Sequence, residues 1–127
     1  MQGELYLRLL MEKNAQNRYL ISYEMIDKRN FIELFDQIID YWSPKVVGYL
    51  NDHCIKISKV KGEFLWHDHP SEEEMYYVVK GSMDLELETK TVVLNEGDFY
   101  IVPKGERHNP KAEEECWLVI FEKNEMN

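Results

Sequence analysis

From residue 46 onward the chain repeats one pattern, in which a short apolar-rich run ends at a cluster of turn residues. Val46–Leu50 leads to Asn51-Asp52, His53–Val60 to Lys61-Gly62, and Glu63–His67 follows. Met75–Val79 ends at Lys80-Gly81. Met83, Leu85 and Leu87 then alternate with Asp84, Glu86 and Glu88, the period of two that gives a strand one dry and one wet face. Thr91–Leu94, Asn95-Glu96-Gly97, Phe99–Val102 and Pro103-Lys104-Gly105 repeat the form, and Cys116–Phe121 closes it, apolar on both faces. Many short strands between Gly, Pro and Asn turns predict an all-β sandwich or barrel.

The period changes before residue 46. Phe31, Leu34, Phe35, Ile38 and Ile39 recur at helical spacing, with Asp36, Gln37 and Asp40 between them. Asn30 stands at an N-cap with Glu33 three places on, and Ser43-Pro44 ends the segment, so a helix is expected over 30–42, laid on the barrel as a lid or plug. Residues 1–24 admit two readings. Leu5, Leu7 and Leu9 alternate with Tyr6 and Arg8, Asn14–Asn17 interrupts, and Tyr19–Tyr23 follows, as in a β-hairpin. The Leu, Glu, Met and Lys of residues 4–13 also suit a short helix. The expected organisation is an extension over 1–29 and a barrel with its helix over 30–127.

The length of 127 residues fits one domain, and 44% apolar residues suffice for a core. A net charge of −9 argues against nucleic acid or an anionic membrane as partner, since both select clustered positive charge. No apolar run reaches the roughly 20 residues that span a bilayer, and no secretory leader is legible. The expectation is a soluble cytoplasmic protein. Cys54 and Cys116 lie far apart outside any CxxC pair and read as reduced, buried thiols.

Candidate chemistry centres on His67 and His69, two apart in a strand-like segment and so on one face. Glu74 follows beyond a Pro70-Ser71 turn, and His108 follows Gly105. Singly, each has a plain alternative: the histidines as hydrogen-bonded core or loop residues, Glu74 as part of the solvated run Glu72-Glu73-Glu74.

Their order and spacing resemble the two motifs of the cupin family. Gly62, His67-Asp68-His69, Glu74 and Gly81 match the first; Gly97, Pro103, Gly105 and His108 match the second, and 15 residues (82–96) separate them. The chain has four residues between Gly62 and His67 where the pattern has five, and Ala112 where the second motif often ends in asparagine. Neither departure touches a ligand position. The resemblance covers residues 44–122. It implies a double-stranded β-helix, or jelly-roll barrel, with an N-terminal extension and one short helix. It also implies one divalent metal ion on His67, His69, Glu74 and His108. Glu74 is preferred to Glu73 because it keeps six residues before Gly81. Three imidazoles and a carboxylate suit Fe, Mn, Ni, Zn or Cu.

Tyr76, Val78, Tyr100 and Trp117 are expected to line the pocket, with Trp66 and Phe121 as further aromatic walls; His53 stands outside the motif. Two functions remain open. One is a metal-dependent enzyme (dioxygenase, isomerase or decarboxylase) acting on a small oxygenated molecule. The other is a non-catalytic module that binds metal or a small, sugar-like ligand. Exposed edge strands of a small barrel predict a homodimer, with residues 1–24 as a candidate exchanged arm.

Overall fold

The computed structural model describes the backbone of residues 6–13 and 19–26 and the whole of residues 28–124. Met1–Gln37 and Ile38–Asn127 form two compact units. In the first, β1 (Tyr6–Lys13) and β2 (Tyr19–Ile26) pair antiparallel from Tyr6↔Ile26 to Lys13↔Tyr19. The hairpin reading therefore holds and the helix over 4–13 does not; the Asn14–Asn17 break lies outside the described residues. Then comes α1 (Phe31–Phe35), capped by Asn30, whose side chain accepts the Glu33 N–H at 3.2 Å.

This helix is far shorter than the expected 30–42. Gln37 N–H already turns back to the Leu34 carbonyl, and Ile39 is 90% exposed. Tyr41 instead forms a parallel bridge with Lys59, and Trp42, at φ +57°, donates its backbone N–H to the Lys59 carbonyl and its indole N–H to the Lys61 carbonyl. Carbonyls distant in sequence thus claim the backbone that helical periodicity had assigned locally.

The second unit is an antiparallel sheet of β3 (Lys45–Leu50), β4 (His53–Glu63), β5 (Glu74–Lys80), β6 (Met83–Leu87), β7 (Thr91–Leu94), β8 (Phe99–Val102) and β9 (His108–Lys123). The strand β9 organises it. Its last half lies between β4 and β5, while its first half pairs with the end of β4 and with β6. A period of two puts Val60, Cys116, Leu118, Val78, Leu85 and Leu94 in one buried core.

Two boundaries differ from the sequence reading. Lys61-Gly62 is not a turn: β4 runs through it with a bulge between Val60 and Gly62, where glycine accommodates φ +83°. The last strand begins at His108, not Cys116. Pro110 and the exposed run Glu113-Glu114-Glu115 look like a loop, yet Pro110 sits in the ladder opposite Leu85 and its carbonyl accepts the Phe64 N–H at 3.0 Å.

Candidate metal centre

The inner face of β4, β9 and β5 carries three cross-strand rows. Ser58, Leu118 and Val78 form one; Lys56, Ile120 and Tyr76 the next; Cys54, Glu122 and Glu74 the third. The face thus passes from apolar core to buried carboxylates within two residue steps. Glu74 and Glu122 are 5% and 4% exposed, whereas Glu73 is exposed.

The histidines come from the connection between β4 and β5 and from the start of β9. His67 and His69 are not in a regular strand, as had been expected. His67 makes a single antiparallel bridge with His108, each backbone N–H donating to the other's carbonyl at 2.9 Å. The Gly105 N–H donates to the His69 carbonyl at 2.8 Å, so the Pro103–Gly105 turn holds this segment in place.

Local hydrogen bonds fix the ring orientations. His67 Nδ1 lies 2.9 Å from the Leu65 carbonyl and His108 Nδ1 lies 2.8 Å from the Glu106 carbonyl. A carbonyl only accepts, so Nδ1 carries a hydrogen in both rings, and in the neutral ring Nε2 then presents a lone pair. Glu74 Oε1 faces His69 Nε2 at 3.4 Å and His108 Nε2 at 3.5 Å, too long for good hydrogen bonds. Ligand atoms of His67, His69, Glu74 and His108 all lie within 4.8 Å of one another, near the ~4.2 Å that separates opposite ligands of one ion at ~2.1 Å each.

The charge states match. Burial pushes the His67 imidazole below its ordinary value, and His108 and His69 add to this, so it is held neutral. Burial works against the Glu74 carboxylate, but the facing His108 and His69 outweigh it and hold the group below the usual range. Two buried atoms, Glu74 Oε1 and His108 Nε2, have no hydrogen-bond partner. Leaving such groups unsatisfied costs about 1–3 kcal/mol each. A cation between converging acceptors offsets that cost, and the donor set fits a divalent first-row ion.

The cluster opens on a cavity of about 280 Å³. Its walls include Trp42, Phe64, Val60, Leu118 and Ile120, with Lys56, Ser58 and Glu122 from the sheet. Trp42 stacks on Phe64 with ring centroids 5.1 Å apart.

Of the expected lining residues only Tyr76 reaches this cavity. Val78 shares its face but lies one row deeper, fully buried in the core. Tyr100 packs against the core and donates its hydroxyl to Glu106 at 3.2 Å. Trp117 is on the opposite face of β9, with its indole N–H on Glu115 and the ammonium groups of Lys80 and Lys59 at 4.7 and 5.1 Å from its ring. Trp66 lies beneath Arg107 and Phe121 stacks on His53, both away from the cavity. The sequence reading had missed Trp42, Phe64, Lys56 and Glu122. The alternation of Lys56, Ser58 and Val60 was a legible sign for β4; nothing local marked Trp42.

The family model described as the cupin domain matches residues 56–121. The chain belongs to the cupin family. A cupin-2 domain containing protein from Shewanella frigidimarina is 36% identical with a TM-score of 0.75, covering 76% of this chain and 94% of its own. A Neisseria meningitidis protein is 26% identical with a TM-score of 0.71, covering 76% and 99%. The uncharacterized Bacillus subtilis protein YdbB is 27% identical over 89 residues, 69% of this cupin and 79% of YdbB. The all-β architecture with one short helix among the described residues agrees with these neighbours. Among the described residues, no helix is long and apolar enough to cross a membrane.

Proposed function

We propose that this cupin holds one divalent metal ion on His67, His69, Glu74 and His108 and acts as a metal-dependent enzyme on a small oxygenated molecule. The supporting observation is the position of the four groups. Three of them, His67, His69 and Glu74, line a cavity whose walls also include the apolar Trp42, Phe64, Val60, Leu118 and Ile120, and His108, fully buried, has its ligand atom within 4.8 Å of theirs. When bound, an ion of this class supplies Lewis acidity, or a site for dioxygen, to a molecule in the cavity.

The protein's own residues have separable tasks. The Leu65 and Glu106 carbonyls hold the His67 and His108 tautomers. Trp42 and Phe64, stacked on one another, give the cavity an aromatic wall. Tyr76, whose hydroxyl burial holds well above its ordinary pKa, stays protonated beside Glu74 and serves as a neutral hydrogen-bonding group.

The test combines metal analysis of protein purified without chelator with turnover of a panel of small oxygenated compounds. Protein loaded in turn with Fe, Mn, Ni, Zn and Cu should turn over at least one compound, with His67→Ala inactive. Retained metal but no turnover with any ion, together with a compound that raises Tm and is recovered unchanged, would replace the enzyme by a binding module.

A further inference from the structure

Lys56 and Glu122 form an ion pair in the cavity wall, with Nζ–Oε2 at 2.6 Å and side chains 19% and 5% exposed. They stand diagonally on the inner faces of β4 and β9, since Lys56 is opposite Ile120 and Glu122 is opposite Cys54. Among the described residues the Lys56 ammonium donates to Glu122 alone, so two of its three N–H groups are uncommitted.

Stability does not account for this pair. Withdrawing two charges from water costs several kcal/mol per ion in real proteins, and apolar residues of similar size are often neutral or stabilising replacements. The neighbouring wall is built of such residues: Ile120, Leu118 and Val60. An ammonium retained there has a ligand to meet.

Charge and size define that ligand. Glu74, Glu122, Lys56 and a divalent ion together leave the wall with one net positive charge; protonation of Glu122 only adds another. A negative ligand is favoured either way. A single ammonium, a compact point charge, matches a single anionic group. Between Lys56 and Glu74 lies one strand, β9, and they stand one row apart, so two strand spacings and two residue steps put their backbones about 12 Å apart. The cavity, about 280 Å³, falls just below the usual range of ligand pockets, which run from roughly 300 Å³ upward, so the molecule is small.

We propose that Lys56 determines specificity in this cavity, and that the molecule taken is a small organic monoanion. It would be a carboxylate whose short apolar or aromatic body lies against Trp42, Phe64, Leu118 and Ile120. This rests on the metal reading, because the ion supplies the positive balance.

The test is calorimetric titration of benzoate and of its neutral analogue benzamide into Ni(II)-loaded protein, with metal content measured in every sample. Benzoate should bind at least about tenfold more tightly than benzamide. Lys56→Gln/Glu122→Gln, which leaves the net charge and with it the ion's own share of the preference unchanged, should lower that preference at least about fivefold at full metal content, and Lys56→Arg should keep it. In the unaltered protein the Lys56 13Cε resonance should move on adding benzoate and not benzamide, a readout that stands even if the variants do not fold. Metal retained with no benzoate preference, or a preference that the double variant leaves undiminished, overturns this inference alone. No metal retained by wild type overturns the metal reading and this inference with it.

Discussion

Glu74 and Glu122 are direct cross-strand partners in the β5–β9 ladder, both buried on the same face. Two carboxyls so close cannot both ionise cheaply, and their surroundings separate them. Glu74 has the histidines and is held as the anion. Burial, and behind it Glu74, pushes Glu122 up to about 7 despite Lys56. The Glu74 carboxylate of the candidate centre and the ion pair of the cavity wall are therefore one electrostatic unit.

Metal-free protein should consequently lose stability on the alkaline side. A carboxyl raised on folding binds its proton more tightly in the native state, so its contribution is fully present below its ordinary value of 4.5 and is lost as pH rises through about 7. Glu122→Gln imitates the protonated form and should flatten this slope. Urea unfolding at pH 5 and pH 8 should show wild type losing on the order of 2 kcal/mol relative to the variant. Equal slopes would refute the assignment.

Metal binding should stabilise the fold, and acid should undo it. An ion at 100 times its Kd adds about 2.7 kcal/mol, so a chelator should lower Tm of wild type and leave His67→Ala unchanged. Acid acts through the imidazoles, which must be neutral to ligate. His67, depressed on folding, contributes stability present above its ordinary 6.5 and lost as pH falls through its lower native value. Metal content measured from pH 7.5 down to 4.5 should fall as the ring protonates; retention at pH 4.5 would contradict the ligand set.

Gly81 and Gly97 share a left-handed backbone, at φ +88° and +89°, but not their surroundings. A Cβ on Gly81 would lie 2.7 Å from the Glu115 carbonyl oxygen, whereas one on Gly97 meets nothing within 4 Å. Gly97→Ala should cost about 1–2 kcal/mol from conformation alone. Gly81→Ala should cost more, because backbone must also shift. Denaturant midpoints of the two variants, measured side by side, should fall in that order; equal costs would remove the steric term.

Cys116 is fully buried, and burial pushes its thiol up to about 12; burial raises Cys54 as well. Both thiols should resist a disulfide reagent at pH 8 in the native protein and titrate at once in guanidinium. Rapid labelling of the folded protein would show that these strands open locally.

Much of this was legible beforehand. The strands at Met83–Leu87, Thr91–Leu94 and Phe99–Val102 follow from the period of two and their glycine turns. Asn30 declared itself as a cap by its place ahead of Phe31. The four ligand positions stood out through their spacing against Gly62, Gly81, Gly97 and Gly105. What misled was locality: Ile38, Ile39 and Tyr41 look helical until Lys59 takes the Tyr41 backbone, and Pro110 looks like a loop until Phe64 finds its carbonyl.

The sequence by itself determined which residues share a face, because side-chain parity along a strand is a local property. It also determined the turns at Gly81, Gly97 and Gly105 and the family of the site. Only the tertiary structure decided that Glu74 lies opposite Glu122, that His67 bridges to His108, and that Lys56 reaches into the same cavity. Those are choices of register between segments about 40 to 70 residues apart, and parity repeats at every second register. The choice is made by burying all the faces together.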